Sequence, residues 1–149
     1  MSADEIAKAF IPHYYNLFDT NREGLVSLFR NESQLTFEGD GPKTGAPAIM
    51  EKLRALPPVT YSVEPSTVRD AIDGVCSMGL RRSPTQVQHQ AQTIETQPST
   101  NPNAILVFCT GNILVEQGKP LKYSEVFQLV ASAPGQYYLH NVMFRFNYS

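Results

Sequence analysis

The apolar residues of this chain recur at helical spacing over its first part and at strand spacing over its last, and this one change of period leaves few folds open. Ser2-Ala3-Asp4-Glu5 has the spacing of a capping box, a hydroxyl at the cap and a carboxylate further along the first turn. Ile6, Phe10, Tyr14, Leu17 and Phe18 follow on one helical face, which predicts a first helix with that face packed inward. Thr20-Asn21-Arg22-Glu23 repeats the capping-box pattern and predicts a short second helix with Leu25, Leu28 and Phe29 inward. Phe18-Asp19-Thr20-Asn21 serves as the tight connection between them. From Gln34 to Glu38 the pattern alternates as in a strand, with Leu35 and Phe37 on one face and Thr36 and Glu38 on the other. A turn-rich stretch, Gly39 to Gly45, leads to a third helix that begins near Pro47, carries Ile49, Met50, Leu53 and Leu56 inward, and stops at Pro57-Pro58.

From Val87 onward strands take over. Val87 to Gln97 is polar with scattered apolar residues, and a loop runs to Asn103. Ile105 to Cys109 is a continuous apolar run, which predicts a central strand buried on both faces, continuing to Glu116 and a turn at Gln117-Gly118-Lys119-Pro120. Two further strands, Tyr123 to Val130 and Tyr137 to Tyr148, are joined by Ser132-Ala133-Pro134-Gly135. Helices first and hairpin-linked strands after predict an α+β fold, about three N-terminal helices on one side of a curved antiparallel sheet. The length suits one domain, residues 1–149, and there is no internal repeat. The exception is an atypical insertion at about 58–86, which fits neither pattern. Loops this long without structure of their own are uncommon in compact domains. It reads as a hairpin, a lid, or a stretch left by a mispredicted splice junction.

Composition narrows the function. Twelve Lys and Arg against fourteen Asp and Glu leave a net charge of -2, which argues against a nucleic-acid binder. No apolar run approaches the roughly 18 residues that cross a bilayer, and the start lacks the basic and apolar segments of a secretion signal, so no membrane partner is expected and the reading is soluble and intracellular. The glycosylation patterns at Asn31 and Asn147 are then idle. Cys76 and Cys109 make neither a disulfide framework nor a zinc site, and His13, His89 and His140 lack metal-ligand spacing, so no metal or cofactor is expected. Gly39-Asp40-Gly41 runs into Pro42, which lacks an N–H donor, and reads as a turn rather than a phosphate loop. No nucleophile-elbow pattern surrounds any serine. An enzyme of the steroid-isomerase kind would draw on Tyr14, Tyr15, Glu38 and Asp40, but core packing and turn geometry account for these residues better.

Phe10-Ile11-Pro12-His13-Tyr14-Tyr15-Asn16-Leu17-Phe18-Asp19 resembles the helix end that opens the nuclear transport factor 2 family, F-x-x-x-Y-Y-x-x-F-D. The resemblance continues in Leu35 to Gly39, in Glu51 to Pro57, in Val87-Gln88-His89, in Gln97-Pro98, in Val126 to Leu129 and in Met143 to Phe146. It covers nearly the whole chain apart from the insertion, and it implies a cone-shaped fold. It also implies a homodimeric carrier, not an enzyme, that binds the GDP form of the small GTPase Ran and phenylalanine-glycine nucleoporins. Such a carrier returns Ran to the nucleus and works in cytoplasm, nucleus and nuclear pore.

The family's Ran site is an apolar cavity that takes an aromatic side chain, ringed by acidic residues. Carried over by the resemblance, the lining falls on Phe37, where most animal members have Trp, and on Leu56, Val87, Leu121, Met143 and Phe144. The rim falls on Glu38 and Glu116, while a second rim aspartate aligns with Gly118 and is lost. The aromatic residue of the nucleoporin site aligns with Ala3. The main alternative within the same fold is the small subunit of a messenger-RNA export receptor heterodimer. Phe144-Arg145-Phe146 and Glu116 to Lys119 resemble that group, whereas Phe18-Asp19 and Leu35 to Glu38 favour the import carrier.

Overall fold

The computed structural model describes residues 1–56, 59–60, 90–115 and 121–147. Helix α1 (Ala3–Thr20) starts as the sequence predicts. The Ser2 hydroxyl accepts from the Glu5 N–H at 3.2 Å, and the Glu5 carboxylate accepts from the Ser2 N–H at 2.7 Å. Pro12 lies inside α1. The ~3 kcal/mol that an interior proline costs is outweighed by burying Ile11, Tyr14, Tyr15 and Phe18, at about 1.5–3 kcal/mol each.

The second helix departs from expectation. It is a 3-10 helix (Arg22–Leu28), and its leading residue, Asn21, makes no side-chain cap. Thr20 stays in α1 and turns its hydroxyl back to the Asn16 carbonyl at 2.7 Å. The expected partner, Glu23, instead takes two hydrogen bonds from Arg54, at 2.6 and 2.7 Å. A bidentate guanidinium outcompetes a backbone N–H for the carboxylate, so the capping box does not form. Phe29, expected in that helix, opens strand β1 (Phe29–Phe37), five residues before the expected start. β1 hairpins onto β2 (Lys43–Thr44), and α2 (Ala46–Ala55) follows with Pro47 in its first turn. Then come β3 (Val59–Thr60), β4 (Gln90–Pro98), β5 (Ala104–Val115), β6 (Leu121–Ala133) and β7 (Gln136–Asn147). Apart from Val59–Thr60, the expected insertion lies outside the described residues, as does the turn at 117–120.

The strands form one curved, unclosed sheet in the order β2-β1-β7-β6-β5-β3, with β4 also on β5. It is the expected α+β arrangement, antiparallel apart from the β1–β7 pairing, which is parallel. Parallel neighbours require a long crossover, and most of the chain lies between these two. Their register slips: Phe29 pairs with Leu139, but Gln34 pairs with Asn141. The extra residues bulge out around Ser33, whose hydroxyl accepts from the Arg30 N–H at 2.8 Å and donates to the Leu139 carbonyl at 2.5 Å.

The helices cover one face. Ile105, Val107, Cys109 and Ile113 of β5 pair across with Leu129, Phe127, Glu125 and Leu121 of β6, and the helical face of α1 packs on this surface. The expectation that β5 is buried on both faces is not met, since Leu106 is 38% and Phe108 40% exposed. The apolar run covers both parities of the strand, but among the described elements only one face has a layer of helices over it.

Candidate functional site

At one end of the covered face four aromatic rings meet. Register places Phe37 of β1 beside Phe144 of β7, and their rings stack with centroids 4.6 Å apart and planes 3° apart. Tyr123 of β6 stacks on the other side of Phe144, at 5.3 Å. Phe146 stands edge-on to Phe37 at 6.1 Å and to Phe144 at 5.0 Å. Each such pair adds about 0.5–1.5 kcal/mol beyond its burial. Phe144 and Tyr123 are fully buried, so they form the floor of the cluster, while Phe37 and Phe146 remain partly open.

The backbone turns away directly after Phe37. Glu38 adopts a left-handed conformation at φ 55°, and its N–H donates to the Phe144 carbonyl at 3.0 Å. Its carboxylate accepts from the Phe146 N–H, so it supplies the acceptor that β7 loses where β1 ends. Gly39 follows at φ 74°, and the Arg145 guanidinium lies 3.2 Å from where a Cβ would sit. Beyond it Asp40 pairs with Lys52 of α2, whose ammonium stands 5.8 Å above the Phe37 ring. The hydrogen bond and charge of Lys52, then the charge of Lys43, hold the Asp40 carboxyl below its usual range. The described rim therefore carries Glu38 and Asp40 with one lysine between α2 and the rings. Leu56 ends α2 and is held there by Arg22, which donates to the Leu53 and Leu56 carbonyls at 3.0 and 2.9 Å.

Of the residues expected to line the cavity, Phe37, Glu38 and Phe144 come together, and Leu56 packs against the same core. Leu121 begins β6 opposite Ile113 and is 40% exposed. Met143 does not join them. It is 51% exposed and lies on the other face of the sheet from Phe144, because successive strand residues alternate sides. Val87 and Glu116 lie outside the described residues.

Deeper in the domain lies a polar cluster that the sequence reading passed over. Glu125 of β6 is buried, with its Oε1 3.5 Å from the Tyr15 hydroxyl, which in turn is 3.4 Å from the Cys109 sulfur. Burial pushes the Glu125 carboxyl well above its usual range, with the Tyr15 hydrogen bond opposing, and pushes the Cys109 thiol up to about 12. The signal was present: Tyr123, Glu125, Phe127 and Leu129 share one parity, so a carboxylate occupies a core slot. The four residues considered for an isomerase-like centre are not gathered. Tyr14 packs edge-on against Phe127 at 5.2 Å, Tyr15 faces Glu125, and Glu38 and Asp40 stand at the rim. A separate hollow of about 180 Å³ lies between α1 and the β6–β7 turn, lined by Met1, Ile6, Ala9, Phe10, His13, Gly135 and Tyr137. No helix among the described residues is long and apolar enough to cross a membrane.

Comparison with known proteins gives this architecture a family. The model of the nuclear transport factor 2 (NTF2) domain matches residues 6–80 and 72–146. Nuclear transport factor 2 of Oryza sativa subsp. japonica is 40% identical over 149 residues, covering 99% of each chain. The solved nuclear transport factor 2 of Cryptosporidium parvum is 31% identical and superposes with a TM-score of 0.72, over 97% of this chain and 94% of that one. The C. albicans Mtr2-Mex67 M domain complex shares the fold at 14% identity, with a TM-score of 0.64 over 96% of this chain and 94% of that one. Helices over one face of a bent mixed sheet, an aromatic cluster at its end and full-length similarity to these relatives lead to one conclusion: the chain belongs to the nuclear transport factor 2 family.

Proposed function

We propose that this chain is a nucleocytoplasmic transport carrier that binds Ran-GDP at the aromatic end of the sheet and returns Ran to the nucleus. The observation that carries the reading is the ring cluster of Phe37, Phe144 and Phe146, with Glu38 and Asp40 beside it. An aromatic guest gains most from a desolvated apolar floor, and rim carboxylates steer a basic partner toward it. Leu56 and Leu121 extend the apolar wall, and Val87 and Glu116 complete the lining and rim in this reading. Met143 belongs elsewhere. With Leu106, Phe108 and Val126 it forms an apolar patch on the uncovered face, which supports a homodimer joined through that face. The hollow beside Ile6 and Phe10 supports phenylalanine-glycine nucleoporin binding on α1, despite Ala3. No catalytic role is part of this reading, and the carrier moves between cytoplasm and nucleus through the nuclear pore.

Capture of purified Ran in its two nucleotide states tests it. GDP-loaded Ran should be retained and GTP-loaded Ran should not; equal retention of both, or of neither, overturns the reading. Glu38→Lys should abolish capture. Because Glu38 also supplies an acceptor to β7, Glu38→Gln is the informative companion. The amide keeps the acceptor and removes the charge, so it should fold as the wild type does and capture Ran roughly tenfold more weakly. Unchanged capture by Glu38→Gln removes the Glu38 charge from the site. The open apolar face equally suits an export-receptor subunit that pairs with a larger partner, and sizing separates the two: the carrier is a dimer on its own.

A further inference from the structure

One carboxyl inside the domain has no part in the carrier role. Glu125 lies at the centre of the covered face, in the row Cys109, Glu125, Phe144, and is 2% exposed. The groups described around it are the hydroxyls of Tyr14 and Tyr15 from α1, the Cys109 thiol from β5 and the Tyr123 hydroxyl from β6. From β7 it meets the apolar ring of Phe144. None of these carries a positive charge. The cation on the neighbouring 3-10 helix, Arg22, directs its Nη1 to the Leu53 and Leu56 carbonyls instead. The Tyr15 hydroxyl donates to Glu125 Oε1 at 3.5 Å, too long to stabilise an anion strongly. An ionised carboxylate here would lose its water and gain no counter-charge from the groups described around it, which favours the neutral acid. Because Tyr15 belongs to α1 and Glu125 to β6, the contact joins the helix to the sheet.

We propose that Glu125 is a proton-linked latch between α1 and the sheet: as a neutral acid it seats the helix, and as a carboxylate it unseats it. The folded protein holds this proton more tightly than the unfolded chain does. The latch therefore stabilises most at and below the ordinary carboxylate range, and its contribution is lost as pH rises toward the folded value. Glu5, Glu23 and Asp40 act in the opposite sense. Hydrogen bonds from Ser2, Arg54 and Lys52 hold them low, so their contributions fade as pH falls.

Thermal unfolding of the full chain and of Glu125→Gln, between about pH 5 and pH 9, separates these effects. The Gln variant should melt roughly 3–8 °C above the wild type at the alkaline end and converge with it at the acid end. Amide hydrogen exchange, corrected for intrinsic rates, should show α1 losing protection at alkaline pH in the wild type alone. Tyr15→Phe removes a donor to the anion and should extend the wild-type fall in stability to higher pH. A constant offset between wild type and Glu125→Gln at every pH, or α1 protection in the wild type that ignores pH, overturns the latch. If Glu125→Gln does not fold, the Tyr15→Phe profile decides, and a profile that does not shift refutes it.

Discussion

On the covered face of the sheet, Val107 and Phe127 pair across β5 and β6 and are wholly buried, while on the opposite face Phe108 and Val126 pair in the next row with Phe108 open to solvent. The two rows are one residue apart and nearly identical in chemistry. What differs is the layer above them. The first meets Tyr14 and Tyr15 of α1, with Tyr14 edge-on to Phe127 at 5.2 Å, and the second meets none of the described helices. Strands that are apolar at both parities call for cover on both sides, and none of the described elements supplies the second.

Truncating the covered face tests the comparison most severely. Phe127→Ala should cost about 3–5 kcal/mol, read as a large fall in the urea midpoint, because the ring leaves a void against Tyr14 and Tyr15. A loss below about 1 kcal/mol would mean that the two faces differ less than their exposure suggests. On the open face, Phe108→Glu should convert the proposed dimer to a monomer in sizing while the circular-dichroism spectrum stays unchanged. If Phe108→Glu instead unfolds the chain, that face is part of the core. The smallest effect belongs to the turn that ends β1. Gly39→Ala, at φ 74° and against the Arg145 guanidinium, should cost about 1 kcal/mol by thermal unfolding. No measurable change would show that the turn does not hold the rim in place.

Much of this fold could be read from short-range pattern. The capping box at Ser2 and Glu5 and the inward face of α1 each depend on residues within a turn or two of one another, and both appear as expected. The second capping box failed because Glu23 has a stronger partner on α2, at a distance no local pattern encodes. The bulge in β1 has no local signature for a related reason. There the Ser33 hydroxyl takes the Arg30 N–H and reaches the Leu139 carbonyl on a strand far along the chain. The candidate site was legible in part. Alternation separates Met143 from Phe144, so the two face opposite sides of the sheet although the resemblance assigns both to one cavity. The same rule marks Glu125 as an inward carboxylate among core residues.

Residue order alone determined the helical and strand periods, the start of α1 and the inward parity of Tyr123 to Leu129 along β6, because these follow from bond geometry over a few residues. Tertiary structure decided which parity is covered, that β1 runs parallel to β7, and that Phe37, Phe144 and Phe146 meet beside Glu38. Those outcomes depend on contacts between residues as much as a hundred positions apart, where packing and hydrogen-bond satisfaction choose among partners that local propensity leaves equivalent.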